Sequence, residues 1–195
     1  MIKVNINPHH HFCVNGVPVL GAMEFLQGGV TQIIGDNGVG KSSFFHYLKV
    51  FKDELLKTQK CVFLDQMRLT PLNQISYFEL LESLREYRFE ELDLFHSITS
   101  VVVSYGHLPI ANLSGGQNQM IKIALMLYLG GDFFFMDEPF QFLDKENQSY
   151  LKNIIKELKK KGKAIILIEH QIDLKDIIDK SFTLCRYKSS IELRG

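Results

Sequence analysis

The chain has 195 residues and a mass of 22.5 kDa, so we expect one domain, or one domain that carries small lobes. Hydrophobic residues make up 46% of the sequence, which is enough for a core on both sides of a sheet and argues against a disordered chain. The 22 basic and 22 acidic residues cancel, which argues against a nucleic-acid-binding protein and against a polybasic membrane anchor.

The cysteines and the hydropathy of the sequence exclude further classes of protein. The cysteines Cys13, Cys61 and Cys185 are odd in number and widely spaced, which favours reduced thiols over a disulfide framework or a metal site. The first eleven residues are polar, so we expect no signal peptide there. The longest apolar stretch, Ile121–Met136, is interrupted by charged residues and glycines and is too short to span a bilayer.

The predicted elements alternate between short apolar strands and amphipathic helices, which is typical of an α/β sheet. The first segment, Ile2–Leu26, is strand-like with a turn at Asn15-Gly16, and it predicts a small antiparallel lobe. A β-branched strand at Val30–Ile34 then precedes a helix predicted over Ser42–Leu56.

The middle of the chain departs from that alternation. The segment Leu72–Tyr105 is helical, and we interpret it as an inserted lobe. The spacing of Phe78, Leu81, Leu84 and Tyr87 predicts one buried face for it.

Three further strands and one further helix complete the predicted sheet. The strands are Cys61–Leu64, Phe133–Met136 and Ala164–Ile168, and the last two are apolar at every position, so we expect both to be buried on both faces. The segment Asp144–Lys161 has apolar residues at helical spacing and predicts an amphipathic helix between them.

The strongest local motif is a glycine-rich loop between the strand Val30–Ile34 and the helix after it. It reads Gly35-Asp36-Asn37-Gly38-Val39-Gly40-Lys41-Ser42 and fits the pattern G-x-x-x-x-G-K-[ST]. Its glycines let the backbone wrap a phosphate, and the N–H groups of the new helix point at the anion. Lys41 would reach the β- and γ-phosphates of a nucleotide, and Ser42 would bind Mg²⁺.

A pair of carboxylates follows the third apolar strand. Asp137 and Glu138 come directly after Phe133–Met136. With a phosphate loop upstream, Asp137 would hold Mg²⁺ directly or through water, and Glu138 would polarise the attacking water as general base. The alternative is that two polar residues simply begin a loop where burial ends.

A second candidate anion site follows the helical lobe. The residues Ser114-Gly115-Gly116-Gln117 precede a helix predicted from about Asn118 to Leu129, and Ser114 is a candidate N-cap. One nucleotide cannot easily use both sites in a single copy, whereas two copies arranged head to tail can each offer this turn to the other's γ-phosphate. The alternative is a plain N-cap after a turn.

These motifs together resemble the ATP-binding cassette (ABC) ATPase family. Leu113–Gln117 reads LSGGQ, the signature of that family, and the other motifs occur in the family's order over roughly Val4 to Leu184. The resemblance implies ATP and Mg²⁺ as cofactors and an ATPase activity. It also implies a P-loop NTPase core with a mainly parallel sheet, a reduced N-terminal antiparallel β lobe and an inserted helical lobe. We therefore expect a single domain over 1–195, with a lobe at about 67–129.

The resemblance assigns roles to further single residues. Gln66 matches the glutamine that senses Mg²⁺ and the attacking water, and His170 matches the histidine that contacts the γ-phosphate. Asp144 matches the acidic residue of the loop that crosses between copies, and Ser43 would join the nucleotide site. Phe12 would stack on adenine. Each has an alternative: Gln66 as a polar strand end, His170 as a surface residue, Asp144 as a helix N-cap and Phe12 as a core residue.

The resemblance also implies partners and a place of action. It implies a second ABC subunit, identical or related, and a separate transmembrane subunit that docks on the lobe Leu72–Tyr105, with no direct nucleic-acid contact. The protein would then be cytoplasmic and peripheral at the inner face of the membrane. The other class of function is a soluble ABC ATPase that acts on nucleic acid or ribosomes. Only about two dozen residues separate Lys41 from Gln66, fewer than in most transporter ATPases, and this departure leaves the partner open.

Overall fold

The computed structural model describes residues 2–6, 13–14, 16–57, 59–65, 74–85, 92–169, 173–188 and 190–195. Within these ranges the strands are β1 (Ile2–Ile6), β2 (Cys13–Val14), β3 (Val17–Phe25), β4 (Val30–Gly35), β5 (Cys61–Leu64), β6 (Phe133–Asp137), β7 (Ala164–Ile168), β8 (Lys180–Arg186) and β9 (Ile191–Arg194). The helices are α1 (Lys41–Val50), α2 (Lys52–Leu56), α3 (Tyr77–Ser83), α4 (Leu92–Val102), α5 (Gly115–Leu129) and α6 (Lys145–Lys160).

All nine described strands join one sheet in the order β1-β3-β9-β8-β4-β7-β6-β5, with β2 paired to β3. The pairs that join β4, β5, β6, β7 and β8 are parallel, which confirms the predicted parallel core. The N-terminal strands β1, β2 and β3 pair antiparallel, also as predicted. Strand β3 pairs in parallel with β9, so the antiparallel lobe continues the main sheet.

The central strands are buried on both faces, as their uninterrupted apolar sequence predicts. Along β6, Phe134 and Met136 point into a core formed with α4, α5 and α6, while Phe133 and Phe135 point into a core formed with α1 and β3. The Phe135 ring stacks on Phe63 with centroids 4.6 Å apart. Because β6 is fixed from both sides, the carboxylates at its end are held in place.

Two predictions about elements need correction, and two strands were missed. The helix predicted over Ser42–Leu56 is two helices, because the chain turns at Phe51, whose backbone leaves the helical region and whose ring packs against Tyr47 at 4.8 Å. The predicted buried face of the helical lobe is also wrong in part. The buried side chains of α3 are Tyr77 and Leu80, whereas the predicted Phe78, Leu81 and Leu84 are only partly buried. The fourth predicted residue, Tyr87, lies outside the described residues. Strands β8 and β9 were not predicted.

The helical segment packs on the sheet through α4 and α5. The described part of this segment buries Phe95, Ile98 and Val102 of α4 against α5. In the described parts of the chain, no helix combines the length and the apolar character needed to cross a membrane.

Candidate active site

The glycine-rich loop connects β4 to α1 at the carboxyl edge of the parallel strands. Gly38 has φ 77° and Gly40 has φ 112°, a backbone region that residues with a Cβ rarely adopt. A Cβ on Gly40 would also lie 2.8 Å from Cγ1 of Val14. The tip residues Asp36 and Asn37 are exposed, whereas the side chain of Val39 is buried. Only the backbone of this loop can therefore wrap closely around a ligand.

Lys41 is folded into this loop. Its side chain is buried, with 7% exposure, and Nζ donates hydrogen bonds to the carbonyl oxygens of Gly35 at 2.8 Å and Asp36 at 3.1 Å. The N-cap of α1 is Gly40, which has no side chain to accept a hydrogen bond from the first N–H groups of that helix. An ammonium group and uncapped helix N–H groups thus meet at one place, which is an arrangement that binds phosphate.

Asp137 ends β6 and faces the first turn of α1. It is 4% exposed, and its carboxylate lies beside the Ser42 hydroxyl. The buried Oδ1 atom has no hydrogen-bond partner among the described residues. A serine hydroxyl beside an unpartnered carboxylate oxygen is an oxygen donor set that fits Mg²⁺.

The pKa of Asp137 reports the same environment. Burial is the main cause that raises this pKa to about 6, and the nearby charge of Glu138 is the second. The Ser42 hydroxyl and the charge of Lys41 act in the opposite direction, and the charge of Asp65 adds a smaller upward contribution. A buried carboxyl group with a raised pKa next to a phosphate loop is typical of a functional site.

Glu138 follows in an uncommon backbone conformation. Its φ is 47°, in the left-handed region, and its N–H donates to the carbonyl oxygen of Ile168 at 2.8 Å. The side chain is half-buried beside Asp137. Backbone strain of this kind concentrates at functional sites, because only a rigid surrounding maintains it.

Two neighbouring strands end at the same edge as β6. Leu64 pairs with Met136, so Asp65 follows β5 next to Asp137, and the main chain leads from there toward Gln66. Asp137 pairs with Ile168, so the buried Glu169 follows β7 at the same level. Gln66 and His170 themselves lie outside the described residues, as does Phe12.

A cavity of about 580 Å³ opens beside the start of α1. Its lining residues are Cys13, Ser42, Ser43, His46, Tyr47, Val50 and Phe51. Cys13 is exposed and directly follows Phe12 in the sequence. Since Ser42 and Ser43 belong to the phosphate-loop end of α1, this cavity adjoins the candidate phosphate site, and its size fits a small-molecule site.

The Ser114 turn forms a second site. The Ser114 Oγ accepts from the Gln117 N–H at 3.2 Å, and Gln117 Oε1 accepts from the Ser114 N–H at 2.9 Å. This reciprocal capping confirms Ser114 as the N-cap of α5, which begins earlier than predicted, at Gly115. Asp144 is likewise the N-cap of α6, because its Oδ1 accepts from Asn147 N–H at 2.8 Å.

A cavity of about 420 Å³ lies against this turn. Its lining residues are Val101, Tyr105, Ser114, Gly115, Gly116, Gln117, Met120, Phe142, Asp144 and Asn147. It shares none of its described lining residues with the cavity beside α1. The two candidate phosphate sites of one chain are therefore separate.

Two residues near this turn were missed by sequence reasoning. Gln119 is buried in α5, and its Nε2 donates a hydrogen bond to the carbonyl oxygen of Pro139 at 2.9 Å. This bond connects α5 to the loop after Glu138. Phe142, in the same loop, packs directly against Gly115 and Gly116. A polar residue at a core position of α5 was the signal for Gln119, whereas no sequence pattern pointed to Phe142.

Comparisons with known proteins agree with this geometry. The sequence profile of a family described as ABC transporter matches residues 22–141, more than half of the chain. The energy-coupling factor transporter ATP-binding protein EcfA1 of Thermotoga maritima is 29% identical over 203 aligned residues, which cover 91% of this chain and 76% of that protein.

Two groups of solved structures share the fold. An ATP-binding cassette of an ABC transporter, MJ1267 in its ADP conformation, matches 97% of this chain and 88% of its own with a TM-score of 0.65 and 20% identity. A model of ribosome-bound archaeal Pelota and ABCE1 matches 90% of this chain with a TM-score of 0.74 and 21% identity, but the match spans only 31% of that longer chain. At these identities the likeness concerns the fold. The family match decides the assignment, and the chain belongs to the ABC transporter family of ATP-binding proteins.

Proposed function

We propose that this chain binds Mg-ATP and hydrolyses it at a site shared between two copies. The observation that carries the proposal is the buried Asp137 carboxylate, with one oxygen lacking a described partner, beside Ser42 at the foot of the phosphate loop. A structural carboxylate in a core would have both oxygens satisfied, whereas a magnesium ligand keeps one oxygen for the metal.

Each residue around this point has a distinct part in phosphoryl transfer. Ser42, Asp137 and, by the family resemblance, Gln66 would hold Mg²⁺, which would neutralise charge on the β- and γ-phosphates. Lys41 and the N-terminus of α1 supply further positive potential. Glu138 accepts the proton of the attacking water, and His170 contacts the γ-phosphate. Phosphoryl transfer mainly requires such positioning and charge stabilisation.

The separation of the two cavities supports a pair of copies arranged head to tail. The Ser114 turn lines one cavity and the start of α1 lines another, and the two cavities share no described lining residue, which supports placing the two phosphate contacts of one ATP on two different copies. In a head-to-tail pair the Ser114 turn of one copy closes over the γ-phosphate held by the other. Closure would then follow ATP binding, and hydrolysis would reopen the pair.

Complementation between two inactive variants tests this arrangement. Lys41→Ala removes phosphate binding, Ser114→Arg fills the second site, and each variant alone should hydrolyse ATP at least about a hundredfold more slowly than wild type. An equimolar mixture contains pairs in which one composite site is intact, so up to about a quarter of the wild-type rate should return. A mixture as inactive as its components would contradict the shared site, while full activity of Ser114→Arg alone would show that one copy suffices.

We further propose that the motion of the pair drives a membrane transporter. The likeness to EcfA1, a transporter ATP-binding protein, supports this choice. The chain would act as a single domain whose helical lobe, at about 67–129, docks a separate transmembrane subunit from the cytoplasmic side of the membrane. The alternative is a soluble ABC ATPase that acts on nucleic acid or ribosomes.

A pull-down experiment distinguishes a transporter subunit from a soluble ATPase that acts on nucleic acid or ribosomes. Tagged Glu138→Gln protein binds ATP without turnover, so with Mg-ATP it should hold its partners in the closed state. Recovery of one multi-spanning membrane protein from solubilised membranes, with none from the matched Lys41→Ala bait, is the expected result. Recovery of ribosomes with no membrane protein would overturn the transport proposal and leave the ATPase proposal intact.

A further inference from the structure

Gln119 is a polar side chain inside the apolar packing of α5. It is 7% exposed, and the residues that follow it in the helix, Met120 and Ile121, are buried as well. Its Nε2 atom donates a hydrogen bond to the carbonyl oxygen of Pro139 at 2.9 Å. Burial of an amide group costs free energy unless the group is hydrogen-bonded, so this bond offsets the cost of a glutamine here. Helix α5 therefore holds the main chain at the residue directly after Glu138.

The main chain at Glu138 has an unfavourable conformation. Its φ is 47°, a region that residues other than glycine rarely adopt. Pro139 comes next, and a proline pushes the residue before it toward extended backbone. Both effects oppose the observed conformation, so contacts around Glu138 must maintain it.

Hydrogen bonds hold the peptide groups on both sides of Glu138. Its N–H donates to the carbonyl oxygen of Ile168 at 2.8 Å, and its own carbonyl oxygen accepts from the N–H of Gln141 at 3.1 Å. The ring of Pro139 sets φ at that residue, which leaves ψ as its only soft dihedral. The bond from Gln119 orients the Pro139 carbonyl group and thereby fixes this ψ.

We propose that Gln119 is a positioning residue for Glu138 in ATP hydrolysis. Its bond to Pro139 holds the loop that starts at Glu138, so that the carboxylate stays where it accepts the proton of the attacking water. A displacement of about 1 Å in such a group slows a reaction by up to about a hundredfold. The alternative is a bond that only stabilises the packing of α5. This inference rests on the proposed ATPase activity and on Glu138 as its general base.

Gln119→Met distinguishes the two roles. Methionine keeps nearly the length and volume of glutamine and removes the donor, so the packing is maintained while the bond is lost. In steady-state hydrolysis of Mg-ATP by the full chain, kcat should fall at least about tenfold, while KM stays within about twofold of wild type. In the Glu138→Gln background, Gln119→Met should leave the dissociation constant of Mg-ATP unchanged, because binding precedes the step in which Glu138 acts.

Ile123→Val is the matched control for stability. Ile123 is fully buried in the same helix, and loss of one methyl group destabilises the core without removing the bond to Pro139. Its kcat should stay within about twofold of wild type. Thermal midpoints show whether each variant is folded. Gln119→Asn, whose amide is one methylene group shorter, is the second variant and should lower kcat in the same way.

The outcomes separate the positioning role from the proposed function. Wild-type kcat in folded Gln119→Met, or equal losses of kcat and of ATP affinity, would overturn the positioning role and leave the ATPase proposal intact. If both Gln119 variants fail to fold, the bond serves the fold and the positioning role is overturned as well. A wild-type protein without ATPase activity, or full activity of Glu138→Gln, would instead overturn the proposed function and this inference with it.

Discussion

The carboxyl group of Asp137 is buried at the end of β6, so its ionisation opposes folding of the nucleotide-free protein. Its pKa is raised by burial to about 6, against an ordinary value of about 3.9. A raised pKa in the folded state means that the stabilising contribution is complete below about pH 4 and is lost as the pH rises through about 6. In the proposed Mg-ATP complex, Mg²⁺ would offset this loss by pairing with the ionised carboxylate.

Asp137→Asn should therefore stabilise the protein in EDTA without nucleotide. At pH 8 we expect the free energy of unfolding in urea to rise by roughly 1–3 kcal/mol, because the amide carries no charge to bury. The gain should shrink at pH 4.5, where the wild-type carboxyl group is largely protonated. Asp53→Asn, at an exposed position, is the control and should change little. Equal gains at both pH values would contradict the burial explanation.

Cys13 reports on the cavity beside α1. It is exposed, whereas Cys61 is half-buried and its pKa is raised by burial to about 11, so that thiol is unreactive near neutral pH. Iodoacetamide should label Cys13 first, and saturating Mg-ATP should slow that labelling because the nucleoside covers the cavity. Peptide mass spectrometry measures both rates. Protection that persists in Lys41→Ala would show that ATP does not act through the phosphate loop.

At the scale of elements, two helices begin with the same capping arrangement and differ in their surroundings. Ser114 caps α5 beside the second cavity, and Ser76 caps α3 through an equivalent exchange with Glu79. Both caps stabilise a helix, but only Ser114 lines a candidate phosphate site. A comparison of Ser114 with Ser76 therefore separates the effect of a serine cap on stability from its effect on ATP hydrolysis.

Ser114→Ala and Ser76→Ala should each lower the free energy of unfolding by about 0.5–2 kcal/mol. Only Ser114→Ala should also reduce ATP hydrolysis, by about tenfold or more, because in the proposed pair the hydroxyl group would face the γ-phosphate held by the other copy. Urea unfolding and steady-state ATPase rates check the two expectations. Equal loss of activity in both variants would mean that activity merely follows stability.

Element boundaries show where sequence patterns succeed and fail. The strands β5 and β7 lie at the predicted residues, because their apolar runs are bounded by polar residues and turns. The break at Phe51 was missed, since a helical pattern continues through it and only the packing of its ring on Tyr47 accompanies the turn. Strands β8 and β9 pair with each other and lie between β3 and β4 in the sheet. The residues of the two strands do not indicate this position.

At the scale of the whole molecule, ATP should make stability depend on protein concentration. A ligand that binds only the folded state raises stability with its concentration, and a ligand shared between two copies also couples folding to pairing. In the Glu138→Gln variant with saturating Mg-ATP, the thermal midpoint should rise with protein concentration. With Mg-ADP it should not. Differential scanning fluorimetry over a hundredfold range of protein concentration measures this, and a midpoint independent of concentration in both cases would contradict pairing.

The residues of the candidate site could be predicted from the amino-acid sequence. The loop Gly35–Ser42, the carboxylates Asp137 and Glu138 and the capped turn at Ser114 follow from residue types at fixed spacing, because each depends on a few consecutive residues. The parallel core followed from apolar runs at strand length. Each of these features depends on residues that are neighbours in the chain, so it can be recognised from the sequence.

Packing in the folded chain fixes which of these elements contact one another. It left one oxygen of Asp137 without a described partner, joined β3 to β9, tied Gln119 to Pro139 and placed Phe142 against the signature glycines. Each of these contacts joins residues far apart in the chain, or depends on how a loop is held by the elements on both sides of it. Periodicity and motif spacing carry no information about such contacts, because packing between elements fixes them.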